Sequence, residues 1–158
     1  ISMYNHAPNN YKCPICLAVN GLENEDTLIT QSDIVYKDEH VMAFISSFFI
    51  GKNPGHIIIV PNKHFENIYD LPIELAQQIS EIAQKMSLAI KKAYGAEGIT
   101  TLQNNEPAGN QHAFHYHFHV FPRYTNDDLH KNMIDKRSTT PVERKPYADK
   151  IKTAIKLY

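Results

Sequence analysis

Three histidines stand at alternate positions, His115, His117 and His119, in the run His-Tyr-His-Phe-His-Val-Phe-Pro-Arg that ends at Arg123. Tyr116, Phe118 and Val120 fall between and after them, so polar and apolar side chains alternate with the period of a half-buried β-strand. On such a strand the three imidazoles share one face and the apolar residues turn into a core. Imidazole has the side-chain pKa nearest neutrality, so a row of three can supply a nucleophile, a proton carrier or metal ligands. Two further histidines bracket a second apolar run: His56 opens Ile57-Ile58-Ile59-Val60, and His64 follows Pro61-Asn62-Lys63. Cys13 and Cys16 have Cys-x-x-Cys spacing. That spacing suits a plain reduced pair, a redox motif or half of a metal site, the last needing two more ligands from the chain's nine histidines.

The elements that must position these groups are short strands around one long helix. Residues 2–25 are rich in Asn and Pro and read as an irregular arm, with Ile1 and Ser2 carrying no part of the argument. Thr27–Thr30 and Ile34–Tyr36 read as strands, and Lys37-Asp38-Glu39 turns the chain into a further strand over Val41–Ile45. Residues 46–55 hold Gly51, Pro54 and Gly55 and form a loop before the strand His56–Val60, which Pro61 stops. Asp70 is placed to cap a helix with Pro72 in its first turn, and Leu75, Ile79, Ile82, Met86, Ile90 and Ala93 make one apolar stripe. Gly95 ends that helix, Ile99–Leu102 is a strand, and Gln103–His112 is a polar loop leading into the histidine strand. Near the C-terminus Thr140-Pro141-Val142-Glu143 starts a helix that Pro146 should stop after one turn, with a second short helix to Leu157. The class is α+β, with a mostly antiparallel sheet.

The chain's 158 residues suffice for one domain with one core. It is divided here into an arm over 1–26, a body over 27–124 and a charged extension over 125–158 that belongs to the same domain. A formal net charge of −1 and no long Lys/Arg run argue against polymeric nucleic acid as a partner. No apolar stretch reaches the roughly 18 residues of a membrane span, and no basic-then-apolar leader opens the chain. With one cysteine pair, too few for a disulfide-framed secreted scaffold, the expected location is the cytoplasm.

The triad, the Pro54-Gly55-His56 strand opening, the Pro61-Asn62-Lys63-His64 strand end and the loop Asn104-Asn105-Glu106-Pro107-Ala108-Gly109 together resemble the histidine triad (HIT) family, from about Cys13 to Tyr124. The resemblance implies a five-stranded, mostly antiparallel sheet with one long helix packed on it, short C-terminal helices and a homodimer. It also implies a nucleotidyl hydrolase or transferase cleaving at the α-phosphate of a nucleotide, purine-based by expectation, such as a dinucleoside polyphosphate or nucleoside phosphoramidate. His117 matches the family nucleophile, His119 and His56 the histidines that border the phosphate, and Asn104 the amide at the α-phosphate. Gln111 and His112 occupy the place where many relatives carry a hydroxyl near the leaving group, so His112 itself becomes a candidate acid. Phe44 and Ile45 match the base pocket, and Ser46 stands where an acidic or amide residue commonly holds the ribose. Arg123 is close enough in sequence to reach phosphate. In one branch of the family a structural zinc is held by four positions that are here Cys13, Cys16, His64 and His115. A closed Cys₂His₂ set would be structural, not catalytic.

Two other classes fit some of the residues. The triad could ligate a catalytic metal ion in a hydrolase, as alternate histidines on a strand do elsewhere. A non-catalytic nucleotide-binding module would keep the pocket without needing a nucleophile.

Overall fold

A computed structural model describes residues 3–158; Ile1 and Ser2 lie outside it. The strands are β1 (Ile34–Lys37), β2 (Val41–Ile45), β3 (Phe48–Ile50), β4 (Ile57–Pro61), β5 (Gly98–Gln103), β6 (Phe118–Arg123) and β7 (Lys136–Ser138). Five of them form an antiparallel sheet in the order β1-β2-β4-β6-β5, and β3 pairs with β7 in a separate two-stranded sheet. The helices are α1 (Pro14–Val19), α2 (Ile73–Tyr94), α3 (Leu129–Asn132) and α4 (Pro141–Ala154). Among the described residues no helix is long and apolar enough to cross a membrane.

Strand alternation divides the core into two layers. Val41, Ala43 and Ile45 of β2 and Ile57 and Ile59 of β4 meet Ile79, Ile82, Met86 and Ile90 of α2 on one face. Met42, Phe44 and Val60 meet Cys13, Ile15, Ala18 and Ile29 on the other. Because the N-terminal arm covers that second face, all five residues of β2 are buried, and the run from Ile57 to Val60 is apolar on both sides. The amphipathic stripe is thus seated on the sheet as its period requires, and Gly95 ends α2 with φ +66°.

Several local expectations are corrected. Thr27–Thr30 is not a strand: Thr27 Oγ1 bonds to the Asn24 carbonyl, and Thr30 and Asp33 cap a 3₁₀ turn over Gln31–Asp33. Such local side-chain bonds compete with a ladder. The arm is not wholly irregular, since α1 starts at Pro14 with Cys13 as N-cap. Asp70 does not cap α2; it closes a 3₁₀ turn over Ile68–Asp70, and Leu71, held extended ahead of Pro72, separates that turn from the helix. The 46–55 loop contains β3.

Pro146 does not end α4. It removes a single hydrogen bond, and tertiary contacts hold the helix through it. Arg144 reaches Asp33 in a fully buried pair (Nε–Oδ1 2.9 Å, Nη2–Oδ2 2.8 Å), while Ala148, Ile151 and Ala154 enter the main core. The Thr140–Glu143 capping box forms as the sequence indicates. Tyr147 of α4 closes on Gly55, the residue before His56. Gly55 has φ +78°, a Cβ there would lie 2.4 Å from Tyr147 Cδ1, and its carbonyl accepts from Tyr94 Oη at 3.1 Å.

Candidate functional site

The histidine segment is a strand only from Phe118 onward; His115 and His117 precede the ladder. The chain bends over 113–115 and Tyr116 N–H donates to the Phe65 carbonyl outside the ladder, so the three imidazoles do not form one row. His115 turns toward the cysteines, whereas His117 and His119 converge with His56.

Register shows what surrounds this second group. Ile34, Phe44, Ile58, His119 and Leu102 are successive cross-strand partners and share one face, opposite α2. Ser46 N–H donates to the His56 carbonyl at 3.0 Å, extending the β2–β4 pairing by one residue on that face. The ring centroids of His117 and His119 lie 5.0 Å apart, and those of His56 and His119 5.5 Å. Phe121 stacks on both His56 (4.3 Å) and His119 (5.4 Å), forming an aromatic floor.

His117 Nδ1 is 2.7 Å from the His115 carbonyl oxygen. A carbonyl only accepts, so Nδ1 carries the hydrogen and Nε2 keeps its lone pair. Burial, the largest influence, holds His117 below the ordinary histidine pKa and His119 well below it. Burial and the neighbouring His117 bring His56 down to about 3. All three rings are therefore neutral at pH 7. Nδ1 of His56 and of His119 are buried with no hydrogen-bond partner among the described residues, which marks a place for a polar ligand. A neutral nucleophilic nitrogen beside two neutral imidazoles can attack an electrophilic centre without first losing a proton.

The other expected contacts separate. Asn104 is partly exposed at the loop, its Nδ2 3.4 Å from the Asn110 carbonyl. His112 is exposed and within electrostatic reach of His117. Gln111 instead is buried and holds the loop: Oε1 accepts from Glu106 N–H, and Nε2 donates to the carbonyls of Glu66 and Ala113. Its amide is used within the protein rather than offered to a ligand. Phe44 is on the histidine face, but Ile45 is fully buried on the opposite face under the helices, so the two cannot line one pocket. Ser46 is buried, with Oγ accepting from Phe48 N–H at 3.2 Å. Arg123 is paired with Asp127 (Nε–Oδ2 2.8 Å, Nη2–Oδ1 2.9 Å). Phe121 was missed, although the alternation that aligns His119 also places it on this face.

The second cluster lies on the arm. Cys13 Sγ is 3.3 Å from His115 Nδ1, and Cys16 Sγ is 3.3 Å from His64 Nδ1 and 3.5 Å from His115 Nδ1. All four donor atoms fall within 4.8 Å of one another. Tetrahedral zinc, with Zn–S about 2.3 Å and Zn–N about 2.0–2.1 Å, requires ligand edges of roughly 3.3–3.8 Å. His115 Nε2 donates to the Pro61 carbonyl at 2.8 Å, which leaves Nδ1 as the ligating nitrogen. The Cys13 thiol is lowered chiefly by the hydrogen bond from Cys16, so it is the readier thiolate of the pair.

The sequence model of the HIT domain family matches residues 28–126, more than half of the chain. Protein hit of Bacillus subtilis is 40% identical over 94 residues, covering 60% of this chain and 63% of that protein. A HIT-like protein of Saccharolobus solfataricus is 31% identical over 89% of this chain and 95% of its own length. An adenylylsulfatase of Arabidopsis thaliana is 30% identical over 60% of this chain and 47% of that protein. Among solved structures, a HIT-like protein from Bartonella henselae superposes with a TM-score of 0.77 at 30% identity, covering 94% and 99% of the two chains. A zinc-bound histidine triad protein from Mycobacterium smegmatis has a TM-score of 0.74 at 22% identity, covering 92% and 94%, a likeness of fold. The chain belongs to the HIT domain family.

Proposed function

We propose that this HIT-domain chain is a nucleotidyl hydrolase or transferase that cleaves at the α-phosphate of a nucleotide through a covalent intermediate on His117. The observation that carries the reading is the Nδ1–H of His117 donating to the His115 carbonyl, which leaves Nε2 as a neutral nucleophile beside His119 and His56. The relative named as an adenylylsulfatase supports the reaction class, since its substrate carries an α-phosphate bonded to an anionic leaving group.

In the first step Nε2 attacks the α-phosphorus, an N–P bond forms, and the bond to the leaving group breaks with its electron pair departing on that group. The ring becomes cationic, and the Nδ1–H bond to the His115 carbonyl strengthens as it does so. His119 and His56 present neutral N–H donors toward the oxygens on which charge develops. From the family pattern we assign the α-phosphate contact to Asn104 and the leaving-group proton to His112. In the second step water or another acceptor oxygen attacks the same phosphorus, the P–N bond breaks, and His117 is restored with the nucleoside monophosphate released or transferred. Phe44 and Ile58 supply apolar surface beside His119.

The donor set, the separations and the Pro61 contact of the Cys13, Cys16, His64 and His115 cluster fit a structural zinc ion, which would tie the N-terminal arm to the sheet. With His115 turned into that cluster, the three triad histidines do not converge on one point, which weighs against a catalytic metal held by the triad. Mass spectrometry of protein quenched during turnover of diadenosine polyphosphate tests the central claim. A nucleoside monophosphate attached at His117 is expected; turnover with no such adduct, or an undiminished rate in His117→Ala, would refute it.

A further inference from the structure

The charged extension after Tyr124 returns to the histidine face. Asp127 fixes its start, taking Arg123, Asn53 Nδ2 at 2.6 Å and the N–H groups of Tyr124 and Leu129, with Arg123 the chief reason its carboxyl lies below the usual range. Leu129 and Ile50 then pack on Phe121, the ring that stacks on His56 and His119. Next, β7 pairs with β3, and its first residue, Lys136, is the direct partner of Ile50. Cross-strand partners share a face, so Lys136 stands on the side where Ile50 packs on Phe121. Phe49 and Arg137 stand on the other side, where they line a separate cavity of about 750 Å³.

Lys136 Nζ lies 5.1 Å from the Phe48 ring centre. Among the described residues no carboxylate pairs with it, whereas Lys131, Arg137 and Arg144 in the same extension are bound to Asp128, Glu143 and Asp33. Its charge is the smallest of the influences that lower His119 and His117, which puts it within electrostatic reach of both rings. A cation with no carboxylate partner among the described residues, on the face where Ile50 packs on Phe121, is suited to a ligand that brings its own negative charge.

We propose that Lys136 contacts the substrate, its ammonium taking the negative charge carried beyond the phosphorus that His117 attacks, so that the site selects nucleotides with an anionic phosphate leaving group over nucleoside phosphoramidates. This rests on the nucleotidyl-transfer reading. As the P–O bond breaks, the electron pair remains on the departing phosphate oxygen, and Lys136 stabilises that charge; the amine leaving group of a phosphoramidate carries none for it to bind. A charge-assisted contact of this kind corresponds to about 10–100-fold in kcat/KM.

The test is the ratio of kcat/KM for diadenosine tetraphosphate to that for adenosine 5′-phosphoramidate in the parent, Lys136→Gln, Lys136→Glu and Lys136→Arg, with melting temperatures measured alongside. The ratio should fall about 10–100-fold in Lys136→Gln, further in Lys136→Glu, and recover largely in Lys136→Arg. An unchanged ratio, whether both rates fall together or neither does, overturns the assignment, as does a parent that turns over only the phosphoramidate. A parent that turns over neither substrate overturns the underlying nucleotidyl-transfer reading, and this assignment with it.

Discussion

His115 and His117 are two residues apart, both buried and both hydrogen-bonded to a backbone carbonyl, yet they release opposite nitrogens. His115 gives Nε2–H to Pro61 and keeps Nδ1 for the cysteine cluster; His117 gives Nδ1–H to His115 and keeps Nε2 for the pocket. The lesson is that the residue type sets what chemistry is open, and the carbonyl each ring meets decides which chemistry it performs. The dependence also runs one way. The carbonyl that orients His117 belongs to His115, so the cysteine cluster supports the pocket, while among the described residues no hydrogen bond of the four cluster side chains goes to the His117 ring.

That asymmetry can be broken in graded steps. His117→Ala should lower turnover by at least roughly 10³-fold while zinc content, read by plasma mass spectrometry, and melting temperature stay close to the parent's. Loss of zinc together with activity would mean that the two clusters are one unit. Cys13→Ala should weaken zinc binding by more than the roughly 10–100-fold that losing an outer partner causes, and lower both the melting temperature and turnover. Full activity in a zinc-free, folded Cys13→Ala protein would sever the link through His115.

A smaller effect comes from His56, whose folded pKa of about 3 lies below its ordinary value of 6.5. Above pH 6.5 neither state gains a proton. As pH falls below that, the unfolded chain takes up a proton that the folded one refuses, so stability declines until pH nears 3. Between pH 7 and 4 this amounts to on the order of 3 kcal/mol. Urea unfolding at both pH values should show that share of the slope missing from His56→Gln; equal slopes would contradict it. The smallest change should come from Thr140→Ala, which removes the cap of α4 and costs about 1 kcal/mol. Calorimetry should detect it with zinc and turnover unaltered, and so set the scale of a purely structural substitution.

Much of this was legible from the chain. The stripe from Leu75 to Ile90 and Gly95 specify α2, because burial of one helical face has a period that composition displays. The triad and the cysteines were visible as residue types. Their sorting into two clusters was legible only through the family resemblance; residue spacing alone puts the three imidazoles in one row, because the bend over 113–115 and the Tyr116 N–H bond to the distant Phe65 carbonyl carry no periodic signal. Ile45 faces away from Phe44 because adjacent strand residues point opposite ways, so the two belong to different surfaces. The β3–β7 pair stayed hidden because three-residue strands, one of them Lys-Arg-Ser, carry no periodic signal. The effect of Pro146 is not legible locally, because the buried Arg144–Asp33 pair that carries α4 through it joins residues far apart in the chain.

The hydrogen-only space at Gly55 couples two distant parts of the chain. Tyr147 presses from the C-terminal helix onto the peptide immediately ahead of His56, so the position of that imidazole is indexed by a segment more than ninety residues further along. Trimming the tail would therefore leave every reactive side chain in place on paper and yet remove the stop against which one of them is set.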